Sequence, residues 1–191
     1  MTARWVVDEV APHRDLQVVW QPISLLFKND PEPGSDYHQR TMVGHRMLRV
    51  MEAVRAESGD AAVFDWYWRC ATSIHHDHRR DGDLGDLLEQ IGLDRALAAA
   101  ADDERWDVEI RARMEAGLAL TGDDVGTPII AWRSPTGEAR GIFGPVITEV
   151  PDTEQSLRLW DATETLALMD GFWELKRIRT ERPRFGDRPD V

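Results

Sequence analysis

Hydrophobic positions along this chain change their period four times. Trp5, Val6, Val7 and Val10 place a partly apolar face on residues 3–11, and the spacing predicts a helix stopped by Pro12. Residues 16–27 come next. Val18, Val19 and Trp20 are strong strand formers, and the stretch predicts a strand running into a turn, with Pro22 at its end. Asn29-Asp30-Pro31-Glu32-Pro33-Gly34-Ser35 is rich in breakers and predicts a loop. From Asp36 to about Thr121 the period is helical. Val43, Met47, Val50, Met51 and Val54 share one face, and Gly59-Asp60 ends that helix. Val63, Trp66, Tyr67, Cys70 and Ile74 make the next face, and Leu84, Leu87, Leu88 and Ile91 a short third. Asp94 is placed to cap the Ala-rich stretch 96–101. Trp106, Ile110, Met114, Gly117 and Leu118 mark a last helix of the block, closed by Gly122.

After Pro128 the period falls to two. Ile129–Trp132 predicts a strand, Ser134-Pro135-Thr136-Gly137 a turn, and Gly141–Ile147 a second strand, together an antiparallel hairpin. Asp152 and Thr153 are N-caps for a long helix marked by Leu157, Trp160, Glu164 and Leu168. The Pro- and charge-rich tail, Glu181 to Val191, is expected to be poorly ordered. The hinge between the two periods is Val125-Gly126-Thr127-Pro128-Ile129-Ile130. Proline has a fixed φ and no N–H, so it belongs at the first residue or edge of a strand, and it pushes Thr127 out of the helical region. The residues fit either a plain loop-to-strand junction or a cis Thr127-Pro128 peptide.

Composition narrows the classes. The 191 residues suffice for one domain, or a domain with a sizeable insertion. A net charge of −12 argues against nucleic acid and anionic membrane surfaces, because phosphate contacts need clustered Lys and Arg. No apolar run reaches a membrane span, and the N-terminus has no signal-peptide core, so the chain reads as soluble and cytoplasmic. One cysteine excludes an internal disulfide and a Cys-based metal cluster. Cys70 lies on an apolar helix face with no second cysteine nearby, which suits a buried structural thiol. His75, His76 and His78 with Asp77 are spaced for a solvated helix end rather than tetrahedral ligation, so no metal is expected.

The order helix, strand, helical block, strand, strand, helix reads as α/β. A sheet interrupted by helices, with Thr-Pro where the chain returns to it, is the order of a thioredoxin-like fold with an insertion of the DsbA type. The expected domains are 1–34 with 122–191, thioredoxin-like and lacking the first strand, and 35–121, an all-helical insertion.

Gly122-Asp123-Asp124-Val125-Gly126-Thr127-Pro128 followed by Phe143-Gly144-Pro145-Val146 resembles the C-terminal half of the DsbA-like mycothiol-dependent nitroreductases. Leu159-Trp160-Asp161-Ala162 and Phe172 to Glu181 resemble the same family's last helix and tail. Thr2-Ala3-Arg4-Trp5 and Ser24-Leu25-Leu26-Phe27-Lys28-Asn29 match near the start, and the helical block matches loosely. The resemblance implies mycothiol or another low-molecular-weight thiol as cosubstrate, and reduction of disulfides or nitroaromatic compounds. It places Thr127 before an active-site cis-Pro128, with its backbone toward a reactive sulfur. It places Asn29 and Tyr37 as polar substrate-binding residues of the pocket. On the residues alone, Asn29 fits a turn and Tyr37 fits packing equally well.

The chain also departs from the pattern. The family carries Cys-Pro-x-Cys at the N-terminus of its first thioredoxin helix, where the helix dipole lowers a thiol pKa. Here the match begins just after that motif, so no catalytic nucleophile is expected among these residues. A start assigned too far downstream is favoured over real loss of the site, because the sheet also needs a first strand. Two rivals stand beside this reading. One is a catalytically silent small-molecule-binding protein. The other is a relative of 2-hydroxychromene-2-carboxylate isomerases and kappa-class glutathione transferases, which use a Ser in place of the first Cys. An unpaired sheet edge would favour association, with a homodimer as the simplest form.

Overall fold

The N-terminal apolar face folds as a helical run whose pitch changes twice. Helix α1 (Thr2–Trp5) continues into a π-helical turn at Val6–Val10 and a 3-10 turn at Ala11–His13. Pro12 cannot donate to a further turn, and Arg14 is already extended. The structure is a computed structural model that describes residues 1–80, 82–134 and 136–190. It divides into two units, one of residues 1–18 and 117–186, the other of residues 19–116 and 187–191.

The first unit carries the sheet. Strands β1 (Ile129–Arg133) and β2 (Ala139–Phe143) pair antiparallel, with Ile129 opposite Phe143 and Arg133 opposite Ala139. Gly137, at φ 85°, donates to the Ser134 carbonyl at 2.8 Å in the connecting turn; Pro135 lies outside the described residues. The second strand is shorter than the expected Gly141–Ile147. Gly144 turns away at φ 102° and Pro145 has no N–H for a ladder. Gly141 is needed for close approach, since a Cβ there would meet Leu120 Cβ at 3.0 Å.

The long C-terminal helix follows, numbered α7 below because five helices precede it in the second unit. It spans Thr153–Leu168 and is capped by Asp152, whose carboxylate accepts from Gln155 N–H at 2.8 Å. Of the expected Leu157, Trp160, Glu164 and Leu168, Trp160 is buried, together with Ser156 and Thr163, while the other three are half-buried. The Ser156 and Thr163 hydroxyls donate to the Pro151 and Leu159 carbonyls, so small polar side chains are buried without loss. Trp160 then sits between two other indoles, 5.8 Å from Trp5 and 5.3 Å from Trp132, both tilted by 54°. Trp5, Val6, Val10 and Trp160 form the buried centre of this unit. Arg14 reinforces it at the rim by donating to both Asp161 oxygens. The described residues of the tail form no regular element, but Arg184 N–H donates to the Thr148 carbonyl at 2.7 Å and Arg4 donates to the Phe185 carbonyl.

The second unit is helical: α2 (Leu25–Asn29), α3 (Asp36–Ser58), α4 (Asp60–His75), α5 (Leu84–Glu89), 3-10 turns at Arg95–Asp102 and Glu104–Trp106, and the start of α6 (Asp107–Leu118). The apolar stripes fold as their spacing predicts. Val50, Val54, Val63, Trp66 and Leu88 are fully buried, and Trp66 donates its indole N–H to the Met47 carbonyl at 3.0 Å. Gly59, at φ 82°, ends α3 and starts α4. Tyr67 is partly exposed and stacks on Trp20 instead of joining the core.

The expected strand at 16–27 is absent, and this is the main correction. Residues 15–24 have no regular structure, and Leu25–Asn29 is helix. A strand needs a ladder partner, and the only sheet among the described residues is β1 with β2. Trp20 is held through its side chain, stacked on Phe64 and Tyr67, while its carbonyl accepts from Arg55 at 2.7 Å. Asn29 accordingly ends a helix rather than opening a loop. The fold is mixed α/β, a small antiparallel sheet with many helices. No helix among the described residues is long and apolar enough to cross a membrane.

Trp160 bridges the N-terminal run and β1, so its loss leaves a cavity that neither side can fill. Trp160→Ala is expected to cost about 3–5 kcal/mol. Urea unfolding measures it; a loss below about 1 kcal/mol would show that Trp160 is not the anchor of this unit.

Candidate functional site

The short helix α2 depends on its ends. Ser24, in an extended conformation, accepts from Phe27 N–H at 3.2 Å and caps the start. Asp30 closes it in the left-handed region at φ 38°, a conformation that Asp tolerates better than most residues. Ser35 caps α3 through His38 N–H at 3.1 Å. Tyr37 thus lies in the first turn of α3, where its hydroxyl accepts from Asn29 Nδ2 at 2.5 Å. The structure therefore brings Asn29 and Tyr37 together in the helical unit, and both are solvent-accessible. An open groove beside the first turns of α3 is lined by Asp36, Gln39, Arg40, Val43 and Arg80.

Thr127 and Pro128 belong to the sheet-bearing unit. Their peptide is cis, as is Gly144-Pro145. The two pairs flank the same end of the hairpin, where Gly144 N–H donates to the Pro128 carbonyl at 2.9 Å. Thr2, at the start of α1, donates its hydroxyl to the Pro145 carbonyl at 2.8 Å. Thr127 is exposed and Pro128 half-buried.

Cys70 is 7% exposed within the core of the helical unit. Burial pushes its thiol far above the usual value, against the smaller opposing pull of the Arg69 guanidinium. It lies past the middle of α4, away from the helix N-terminus that would favour a thiolate. Asp77 is occupied: it accepts from Arg188 Nε at 2.6 Å and from Arg69 at 3.4 and 3.5 Å. The Arg188 hydrogen bond leads in holding its pKa down to about 2. Among the described residues, no group of His, Cys, Asp or Glu side chains is placed to hold a metal ion.

One constellation has no counterpart among the residues singled out by pattern. Ser24 Oγ lies 2.9 Å from His45 Nδ1, and His45 Nε2 lies 3.0 Å from Asp107 Oδ1. Arg49 donates to both Asp107 oxygens, at 2.6 and 2.7 Å. Phe27 is packed between the His45 ring, 4.4 Å away, and the Arg111 guanidinium, 3.6 Å from its centroid. Burial pushes His45 below its ordinary value; Asp107 pulls it up, while Arg49 and Arg111 push it down. Burial also pushes the Asp107 carboxyl up, but its contacts with Arg49 and His45 outweigh that and hold it low. The signal in the sequence was a second stripe on α3. Thr41, His45, Arg49 and Glu52 are all buried and follow the same helical spacing as the apolar residues beside them.

A Ser–His–Asp row suggests nucleophilic catalysis, but this one is built differently. A working serine presents its oxygen to substrate. Ser24 is 1% exposed and its oxygen already accepts a helix N–H. The row holds helices together.

A family model described as "Rv2466c-like: Mycothiol-dependent nitroreductase Rv2466c" matches residues 1–177. The match covers most of the chain, and the chain belongs to this family of mycothiol-dependent nitroreductases.

Burial and a raised pKa together make Cys70 unreactive in the native state. A thiol reagent is expected to label the folded protein slowly and to reach one equivalent only after denaturation. Rapid stoichiometric labelling of the folded protein would contradict its placement in the core.

Proposed function

We propose that this member of the mycothiol-dependent nitroreductases has a DsbA-like, thioredoxin-like framework. Its residues supply the binding part of a thiol-dependent site for disulfides or nitroaromatic compounds. The membership itself carries the reading. Thr127 and the cis-Pro128 are the proposed face toward a reactive sulfur, and Asn29 and Tyr37 the proposed polar contacts to substrate. The exposure of Asn29 and Tyr37, and the hydrogen bond that orients them, support that role. Mycothiol, or another low-molecular-weight thiol, is the proposed cosubstrate. The proposed compartment is the cytoplasm, which keeps such thiols reduced. A homodimer is the proposed assembly.

The thiolate is not assigned to Cys70. Exchange requires a thiolate that attacks a disulfide through a mixed disulfide. Cys70 is buried, carries a raised pKa and is the one cysteine among these 191 residues. The same observation favours a second reading, a small-molecule-binding protein without thiol chemistry.

Two forms separate the readings: the 191-residue chain, and a chain extended at its N-terminus by a strand and Cys-Pro-x-Cys. Disulfide and nitroaromatic reduction are assayed on each with a low-molecular-weight thiol. The shorter chain is expected to be inactive and the extended one active. In the extended form, Asn29→Ala is expected to lower kcat/KM about tenfold, the worth of one good hydrogen bond. Equal activity in both forms, retained after Cys70→Ser, would overturn the thiol chemistry. Inactivity of both, with retained ligand binding, would favour the binding protein.

A further inference from the structure

The row from Arg49 to the start of α2 has a fixed direction. The Arg49 guanidinium only donates, and the ionised Asp107 carboxylate only accepts. His45 Nε2, 3.0 Å from Asp107, therefore carries the ring hydrogen. Nδ1 is left bare and accepts the Ser24 hydroxyl hydrogen at 2.9 Å. The Ser24 oxygen keeps a lone pair for Phe27 N–H, the cap of α2. His45 and Ser24 are each 1% exposed, so water offers no replacement partner.

We propose that neutral His45 is a positioning residue, which holds the cap of α2 through Ser24 and so fixes Asn29 against Tyr37. The inference rests on the function proposed above only in taking Asn29 and Tyr37 as substrate contacts; the ordering of α2 stands apart from it. Protonation places N–H on both ring nitrogens. Ser24 then loses its acceptor, and its hydroxyl hydrogen is left unpaired in a buried site. The new charge faces Asp107 on one side and Arg49 and Arg111 on the other, with Asp102 and Glu104 flanking Arg49. The sign follows. Burial lowers His45 in the folded state, so the neutral form is favoured there. The stabilisation is complete above the unfolded value of 6.5 and is lost as pH falls through the lower folded value.

The test uses the full 191-residue protein, with nitrogen-15 histidine NMR and amide exchange corrected for intrinsic rates. At neutral pH, His45 Nδ1 is expected to resonate as a bare nitrogen and Nε2 as a protonated one. As His45 titrates, protection of the Phe27 and Asp30 amides is expected to fall about five- to tenfold, the worth of one cap. The Asn29 side-chain amide should shift with the same midpoint, while the Trp66 indole N–H stays unchanged. Ser24→Ala should show low α2 protection at every pH, with no step. A protonated Nδ1 at neutral pH would overturn the inference, as would flat α2 protection across the titration, or a step that survives in Ser24→Ala. A nitroaromatic compound titrated onto the same chain separates the two readings. An α2 step without any change in nitroaromatic binding leaves the positioning role standing and removes Asn29 and Tyr37 from the substrate.

Discussion

Asp107 serves two demands with one carboxylate. It accepts a two-pronged contact from Arg49 and the ring hydrogen of His45, and both donors lie on α3 while it lies on α6. A buried charge without partners is costly, so each of the three groups requires the other two. The arrangement contributes less as net stability than as selection. Only one approach of α6 to α3 satisfies all of the donors, and only one histidine tautomer does so. That tautomer in turn decides which way Ser24 points, and Ser24 decides where α2 begins. The order of a five-residue helix, too short to stand alone, is thus set by an ion pair two partners away.

The sheet-bearing unit is held by a different principle. Three indoles meet at Trp160, and the polar groups of its helix face are satisfied by that helix's own carbonyls or by the one just before it. Aromatic contact is tolerant of direction and large in area. It joins the N-terminal run, the hairpin and α7 without a polar network in the centre. The two cis peptides sit at one end of that hairpin, beside the start of α1 through the Thr2–Pro145 contact. The surface that carries them is therefore placed by packing, whereas the Asn29–Tyr37 pair is placed by hydrogen bonds.

Family membership and residue chemistry constrain each other. The family name specifies thiol-dependent reduction. The chain's one cysteine is buried in an apolar core, where a thiolate is disfavoured. Binding and thiol chemistry are thus separable in the proposed reading: Asn29 and Tyr37 are exposed, and Cys70 is not available to attack a substrate.

Periodicity alone determined most of the helical unit. The stripes of α3, α4 and α5 folded as their 3.6-residue spacing requires, since a helix shows its buried face in local sequence. The hairpin was equally legible, because β-branched runs bounded by Pro and Gly leave few other local solutions. Val18, Val19 and Trp20 misled: strand propensity describes a residue's fit to a pleated surface, and among the described residues no strand pairs with them. Leu25–Asn29 was legible only as the serine cap before Leu-Leu-Phe, a signal that strand propensity outweighed. Asn29 and Tyr37 could be named from sequence, but their contact depends on Asp30 turning left-handed between two capped helices. The partnership of Ser24, His45, Arg49 and Asp107 could not be read from the sequence. Their partners are 21 to 62 residues apart in the chain. What pairs them is the packing of α2, α3 and α6, which buries Ser24, His45 and Arg49, half-buries Asp107 and brings their polar atoms within hydrogen-bond distance.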